Sequence, residues 1–384
     1  MRAIFSFFLA IIVGGIPAFS KATPKPIAVS QSQTDSLVYF ERLGQGLYRF
    51  YYDDNYYLAD KSCQFVAIVR EAGFDPSSQT FDGSFVDYNL SGRKILSGSY
   101  HQGLKSGVFQ AYHNNGQLKW EVNFIENQPL GQWKYYYPDG KPMLVVNHSD
   151  EDVEIWDYWD TSARQRVTAG NGRYRMHVEI KGYNEYGATF LLLSGRLKNG
   201  KPERLWSIDF VYPDNTRELI GQLRYQNGRF HEQVRFEQLL QDYINSGESI
   251  QLIPQAWFIQ AENFVIKKCN IDEYSGFTDY LIRKLEEELY SVASPDSSGM
   301  MAVFTIRVSN EGIASSIIAK EDQLDKKLER RIKQQLESIG FWFPSWKDGE
   351  YIDDELTLSF KIMSDPATGL LYVEELDIQR NQEF

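Results

Sequence analysis

The chain has 384 residues, a net charge of −12 and 15% aromatic residues. That length suits two or three domains, and an apolar fraction of 42% supports a sizeable core, so wholesale disorder is excluded. An acidic chain gains nothing from counterion release on nucleic acid and is repelled by anionic lipid headgroups, so neither partner is expected.

The N-terminus reads as a targeting segment. Arg2 is a short positive region, residues 3–19 are apolar and uncharged, and Ala18-Phe19-Ser20 and Ser20-Lys21-Ala22 both offer a small-x-small cleavage pattern. Residues 1–22 are therefore expected to be a signal peptide, leaving a periplasmic or extracellular chain with no stable membrane insertion. Retention as an inner-membrane anchor is the alternative, although Gly14, Gly15 and Pro17 break the end of the apolar run. Export permits a disulfide between Cys63 and Cys269. The two lie far apart in the chain, and buried free thiols are the expected state. Residues 23–79 read as a linker and an N-terminal cap, with a helix-compatible segment over 56–70.

A fixed period follows. Gly83, Gly107 and Gly131 are 24 residues apart, as are Phe85, Phe109 and Trp133, then Tyr88, Tyr112 and Tyr136, then Gly92, Gly116 and Gly140. Asn115-Gly116 and Asp139-Gly140 are hairpin-turn dipeptides. Leu118, Trp120, Val122 and Phe124 alternate, which predicts strands with one buried face. Each unit is expected to be a hairpin with its aromatics on the inner side. Stacked hairpins would bury one aromatic ridge, since a lone hairpin is marginal in water. Gly195, Gly200 and Trp206 match the spacing of Gly98, Gly103 and Phe109, with Arg204 where Gly107 stands. The array is expected over 80–235, with a linker over 236–261.

These units, Gly98-Ser-Tyr100 through Asn115-Gly116 and Gly131-x-Trp133 through Asp139-Gly140-Lys141, resemble MORN repeats. They are closest to the 24-residue variant of bacterial exported proteins and of proteins labelled as antitoxins.

The texture then changes. Phe277, Tyr280, Leu281, Leu285 and Leu289 fall at helical spacing, with Ser275 as the N-cap. Met301 to Val308 alternates as a strand, Asn310-Glu311-Gly312 turns, and Ile313 to Ala319 returns. Leu324, Leu328, Ile332, Leu336 and Ile339 line a second helix, and Leu356, Leu358, Phe360 and Ile362 make another strand. The order α-β-β-α-β, the Gly312 turn and Trp342-x-Pro344 resemble the TonB C-terminal domain, assigned here to 262–384. The chain lacks the family's N-terminal functional His and its Pro-rich spacer. The resemblance implies an envelope protein or peptide segment as partner, bound by adding a strand to a sheet edge. The matching edge is Leu356, Leu358, Phe360 and Ile362, unless residues 370–378 form a strand that covers it.

No catalytic constellation stands out. The five histidines fall in no metal-binding spacing, and His101 and His113 read as surface residues. No nucleophile elbow, P-loop or dinucleotide fingerprint is present. The acidic clusters Asp53-Asp54, Asp150-Glu151-Asp152 and Asp353-Asp354-Glu355 read as solvated loops. The expectation is thus a mainly β hairpin-repeat sheet followed by a small α+β domain, without enzyme activity, cofactor or metal. Its role would be a periplasmic protein-binding scaffold, linked to TonB-type envelope transport in its most specific form. An immunity or antitoxin-like protein and a glycan-binding or glycan-active protein are the alternatives.

Overall fold

A computed structural model describes residues 37–149, 153–236, 252–254, 256–289, 299–320, 324–347, 349–365 and 368–380. The expected signal peptide and the Asp150–Asp152 cluster lie outside them. The fold is mainly β. It divides into two compact units, one of residues 1–180 and 188–267, the other of residues 181–187 and 268–384.

The first unit is a 17-stranded sheet. It opens with β1 (Phe40–Gly44), β2 (Leu47–Tyr52), β3 (Ile68–Asp75), β4 (Thr80–Asn89) and β5 (Lys94–His101). Next, β6 (Leu104–Lys105) and β7 (Gly107–Tyr112) both pair with β5. There follow β8 (Leu118–Ile125), β9 (Gln128–Tyr136), β10 (Pro142–His148), β11 (Val153–Trp159) and β12 (Gln165–Thr168). The last are β13 (Asn171–Glu179), β14 (Phe190–Lys198), β15 (Lys201–Val211), β16 (Arg217–Gln226) and β17 (Arg229–Phe236). From hairpin to hairpin, each strand pairs antiparallel with a chain neighbour.

The repeat glycines are turn and bulge devices. Gly83, Gly107, Gly131, Gly92, Gly116 and Gly140 all hold positive φ, between 74° and 91°, a region open to glycine at little cost. Gly98 has a different reason. A Cβ there would stand 2.7 Å from the Phe109 ring, and one at Gly195 would stand 2.2 Å from the Trp206 ring. The same glycine-under-aromatic contact thus recurs in the degenerate unit, where the spacing placed it.

The buried aromatics form a continuous ridge. Phe50, Phe81, Tyr100, Phe85, Phe109 and Phe124 follow one another with ring centroids 4.9–5.8 Å apart. Beyond β10, Tyr158, Tyr174, Trp206 and Tyr225 continue the pattern at 5.0–6.3 Å. One expectation needs correction. Phe85, Phe109 and Trp133 are buried, but Tyr88, Tyr112 and Tyr136 are only half-buried. Three residues on from an inward side chain is an odd step, so these tyrosines leave the ridge for the opposite face.

Three further differences concern the flanks. Residues 56–70 form no helix: they run through turns and loops into β3, and the sheet begins at β1 rather than at residue 80. A burial of polar groups explains the irregular stretch. Arg70 and Asp87, both fully buried, form a bidentate pair at 2.7 and 2.9 Å, and the Tyr56 hydroxyl donates to Asp87 at 3.1 Å. The loop between β2 and β3 is what carries Tyr56 to that pair. Secondly, the expected linker is a packed strap where it is described. The Tyr174 hydroxyl donates to the Leu252 carbonyl at 2.6 Å. A 3-10 segment, Trp257–Asn263, lays Phe258 on Phe109, Trp120 and Phe124. Glu262 accepts from the Tyr100 hydroxyl at 2.8 Å and from the buried Lys105 ammonium at 2.6 Å. Burial and the Glu262 carboxylate together push the Tyr100 pKa well up. Phe264 closes the run against Phe50, Phe74 and Phe81. Thirdly, Cys63 and Cys269 are both disulfide-bonded, not free.

The second unit has the α-β-β-α-β order read from the sequence. After a short helix α1 (Ile271–Tyr274) come α2 (Phe277–Leu289), β18 (Met300–Val308), β19 (Ala314–Ala319) and α3 (Lys326–Glu337). A small hairpin, β20 (Ser345–Lys347) with β21 (Glu350–Ile352), precedes β22 (Asp354–Ser364) and β23 (Leu371–Gln379). The Ser275 hydroxyl accepts from the Phe277 N–H at 3.3 Å, and the Asp325 carboxylate caps α3 through Lys327 N–H at 2.9 Å. Gly312 and Trp342 depend on each other: Trp342 N–H donates to the Gly312 carbonyl at 2.9 Å, and a Cβ on Gly312 would strike Phe341 and the Trp342 carbonyl. The loop between β13 and β14 also belongs to this unit. Its Tyr183 packs on Phe277, Tyr280 and Phe343, and its Glu185 pairs with Lys284 at 2.8 Å.

Candidate partner-binding surface

A strand can be lengthened sideways only where its backbone donors and acceptors are unpaired. The order in the second unit is β19-β18-β22-β23, which decides where that holds. Leu356, Leu358, Phe360 and Ile362 lie on β22, between β18 and β23, and are fully buried. Their alternation faces the core, as the sequence implied. Their position is corrected from edge to interior, because residues 371–379 form β23 and cover the strand.

The edges are therefore β23 and β19, and they differ. On β23 the Val373 N–H is taken by the Glu286 carboxylate of α2 at 3.0 Å. A register shift against β22 and a positive φ of 56° at Glu375 bend the strand away. Both devices close an edge. On β19, residues Ala314-Ser-Ser-Ile-Ile-Ala319 carry no charge, and the strand pairs with β18 alone among the described residues. Ile317 is buried in the core while Ile318 is 58% exposed. The Lys320 N–H donates back to Val303 at 2.9 Å. Alternation along an antiparallel ladder then aims the N–H groups of Ile317 and Ala319 outward. Sequence reasoning missed this edge because it found β19 without knowing its neighbours. The uncharged run was the available signal.

The other residues singled out from the sequence sit as follows. The repeat positions Gly83 to Gly140 build turns, bulges and core. His101 is exposed, while His113 is half-buried and its ring lies 2.9 Å from the Tyr136 carbonyl. His148, unremarked in the sequence, is buried. Two of the acidic clusters are not solvated loops. Asp53 is buried and accepts from the N–H groups of Asn55 and Tyr57 at 2.9 Å. Burial raises its pKa and these two donors oppose the rise. Asp354 is buried and accepts from the Ser345 hydroxyl at 2.6 Å. Arg380 joins that cluster, bonding the Ser345 hydroxyl at 3.1 Å and the buried Asp272 at 2.6 Å.

Among the described residues no helix is long and apolar enough to cross a membrane. No protein-family model and no curated protein matches the chain. Fold and surface together define a two-unit, mainly β protein whose α+β unit, among the described residues, leaves the outer side of β19 unpaired.

Proposed function

We propose that the chain is an exported, non-catalytic binding scaffold whose α+β unit takes up an extended segment of an envelope protein along β19. The observation that carries this reading is the contrast between the two edges: β23 is closed by a carboxylate and a bulge, and β19 is uncharged, with its outer side unpaired among the described residues. Main-chain bonds to the outward N–H groups would supply affinity, and the exposed Ile318 side chain would meet alternate side chains of the partner. The MORN-like frame and the TonB-like element order support an envelope setting, and a disulfide is a bond that persists in oxidising compartments.

Substituting Ala319→Pro removes one outward N–H and leaves the bonds to β18 in place. The full chain should retain a partner from an envelope extract, and the variant should lose it with an unchanged circular dichroism spectrum. Equal retention by both proteins would place recognition elsewhere and overturn the reading.

A further inference from the structure

The strongest unexplained feature lies in the first unit, away from β19. Arg166, Arg173, Arg175, Arg196 and Arg204 line one cavity of about 620 Å³ on strands β12 to β15. All five are exposed. One carboxylate shares the cavity, Asp160, and it is committed to Arg166 at 2.6 Å. The side chains of Arg173, Arg175, Arg196 and Arg204 make no hydrogen bond or ion pair among the described residues. Glu203, across from Arg196 on β15, accepts from the Asn227 N–H at 2.8 Å.

Two features of this cluster work against stability. Arg173 and Arg196 are direct partners across β13 and β14, so like charges stand face to face, an unfavourable cross-strand pair. Arg204 occupies the position where the regular unit has Gly107, and it holds the same backbone conformation, with φ of 65° against 81°. A non-glycine residue in that region is strained. The repeat frame accounts for the conformation of Arg204, but no structural role accounts for the facing charges, because these arginines are neither buried nor paired among the described residues. An anion held between them does.

We infer that this cavity binds a small ligand carrying at least two oxyanion groups, phosphate or carboxylate. The planar guanidinium fork meets either group with two parallel hydrogen bonds. A volume of about 620 Å³ is that of a small-molecule site. The chain's net charge of −12 repels a long polyanion whose ends leave the cavity, which favours a compact ligand.

The test is calorimetric titration of the full chain, at low ionic strength, with tripolyphosphate and with citrate. The wild type should bind at least one of them saturably and one to one. Binding of both defines an oxyanion site, and binding of tripolyphosphate alone narrows the ligand to phosphates. Arg196→Gln and Arg204→Gly should each weaken binding tenfold or more, while Lys94→Gln, outside the cavity, should leave it unchanged. In the absence of ligand, Arg204→Gly should raise the melting temperature by about 2 °C, the scale of a relieved backbone strain. No saturable binding of either probe, equal binding by the variants, or a lowered melting temperature for Arg204→Gly would each overturn the assignment.

Discussion

At the scale of single residues, the sheet is held by groups that tolerate no exchange of charge. His148 is the clearest case. It is buried beside Trp133, its Nε2 has no hydrogen-bond partner among the described residues, and burial lowers its pKa from 6.5 to about 4. The unfolded chain therefore takes up the proton before the folded one does. The neutral imidazole's contribution is whole above pH 6.5 and is lost by about pH 4. Its size is on the order of 3 kcal/mol. Urea midpoints measured across that window should fall with pH, and His148→Gln should flatten the slope. Arg70 is the opposite kind of residue. Burial opposes its charge, yet the Asp87 carboxylate and nearby phenols more than offset this and lift its pKa well above the ordinary guanidinium value. It lies 4.3 Å from the Phe85 ring centre, a charge built into the aromatic ridge.

At the scale of elements, the 3-10 strap has the largest leverage for its length. Phe258 is buried against three aromatic rings from β7 and β8. Phe258→Ala should cost about 3–5 kcal/mol, read from the denaturant midpoint of the full chain. The strap also marks the limit of what the sequence discloses. Hairpins were legible because their signals are local: glycines at positive φ and side chains alternating every second residue. The strap's contacts join residues 78 to 162 positions apart in the pairs Tyr174–Leu252 and Tyr100–Glu262, and no periodicity announces them. The loop carrying Tyr183 was hidden for the same reason. The edge β19 was half legible: its existence follows from alternation, and its exposure follows only from which strands become neighbours. The misplaced tyrosines, Tyr88, Tyr112 and Tyr136, are different. Their parity was present in the sequence, and counting three from Phe85, Phe109 and Trp133 places them on the other face.

At the scale of the whole molecule, the two cysteines fix the chemistry of handling. Because Cys63 and Cys269 are both oxidised, chain denatured without reductant should take up no iodoacetamide, and reduced chain should gain two adducts by mass spectrometry. Labelling without reduction would place the folded protein in the thiol state instead. The two units also call for whole-chain experiments. A fragment starting at residue 262 lacks Tyr183, which packs on Phe277, Tyr280 and Phe343, so its core would carry a void of aromatic size.

The nearest-neighbour pairing of the sheet has a consequence in time. A ladder in which each strand bonds the one made just before it can zip in the order of synthesis, hairpin by hairpin, without waiting for distant sequence. Its aromatic face cannot finish that way. Phe109, Trp120 and Phe124 are covered by Phe258, and Phe50, Phe74 and Phe81 by Phe264, so both stretches stay bare until the chain has emerged past residue 264. During that interval the half-built array presents a long apolar surface to its surroundings, and the most dangerous moment in its life falls just before the strap arrives.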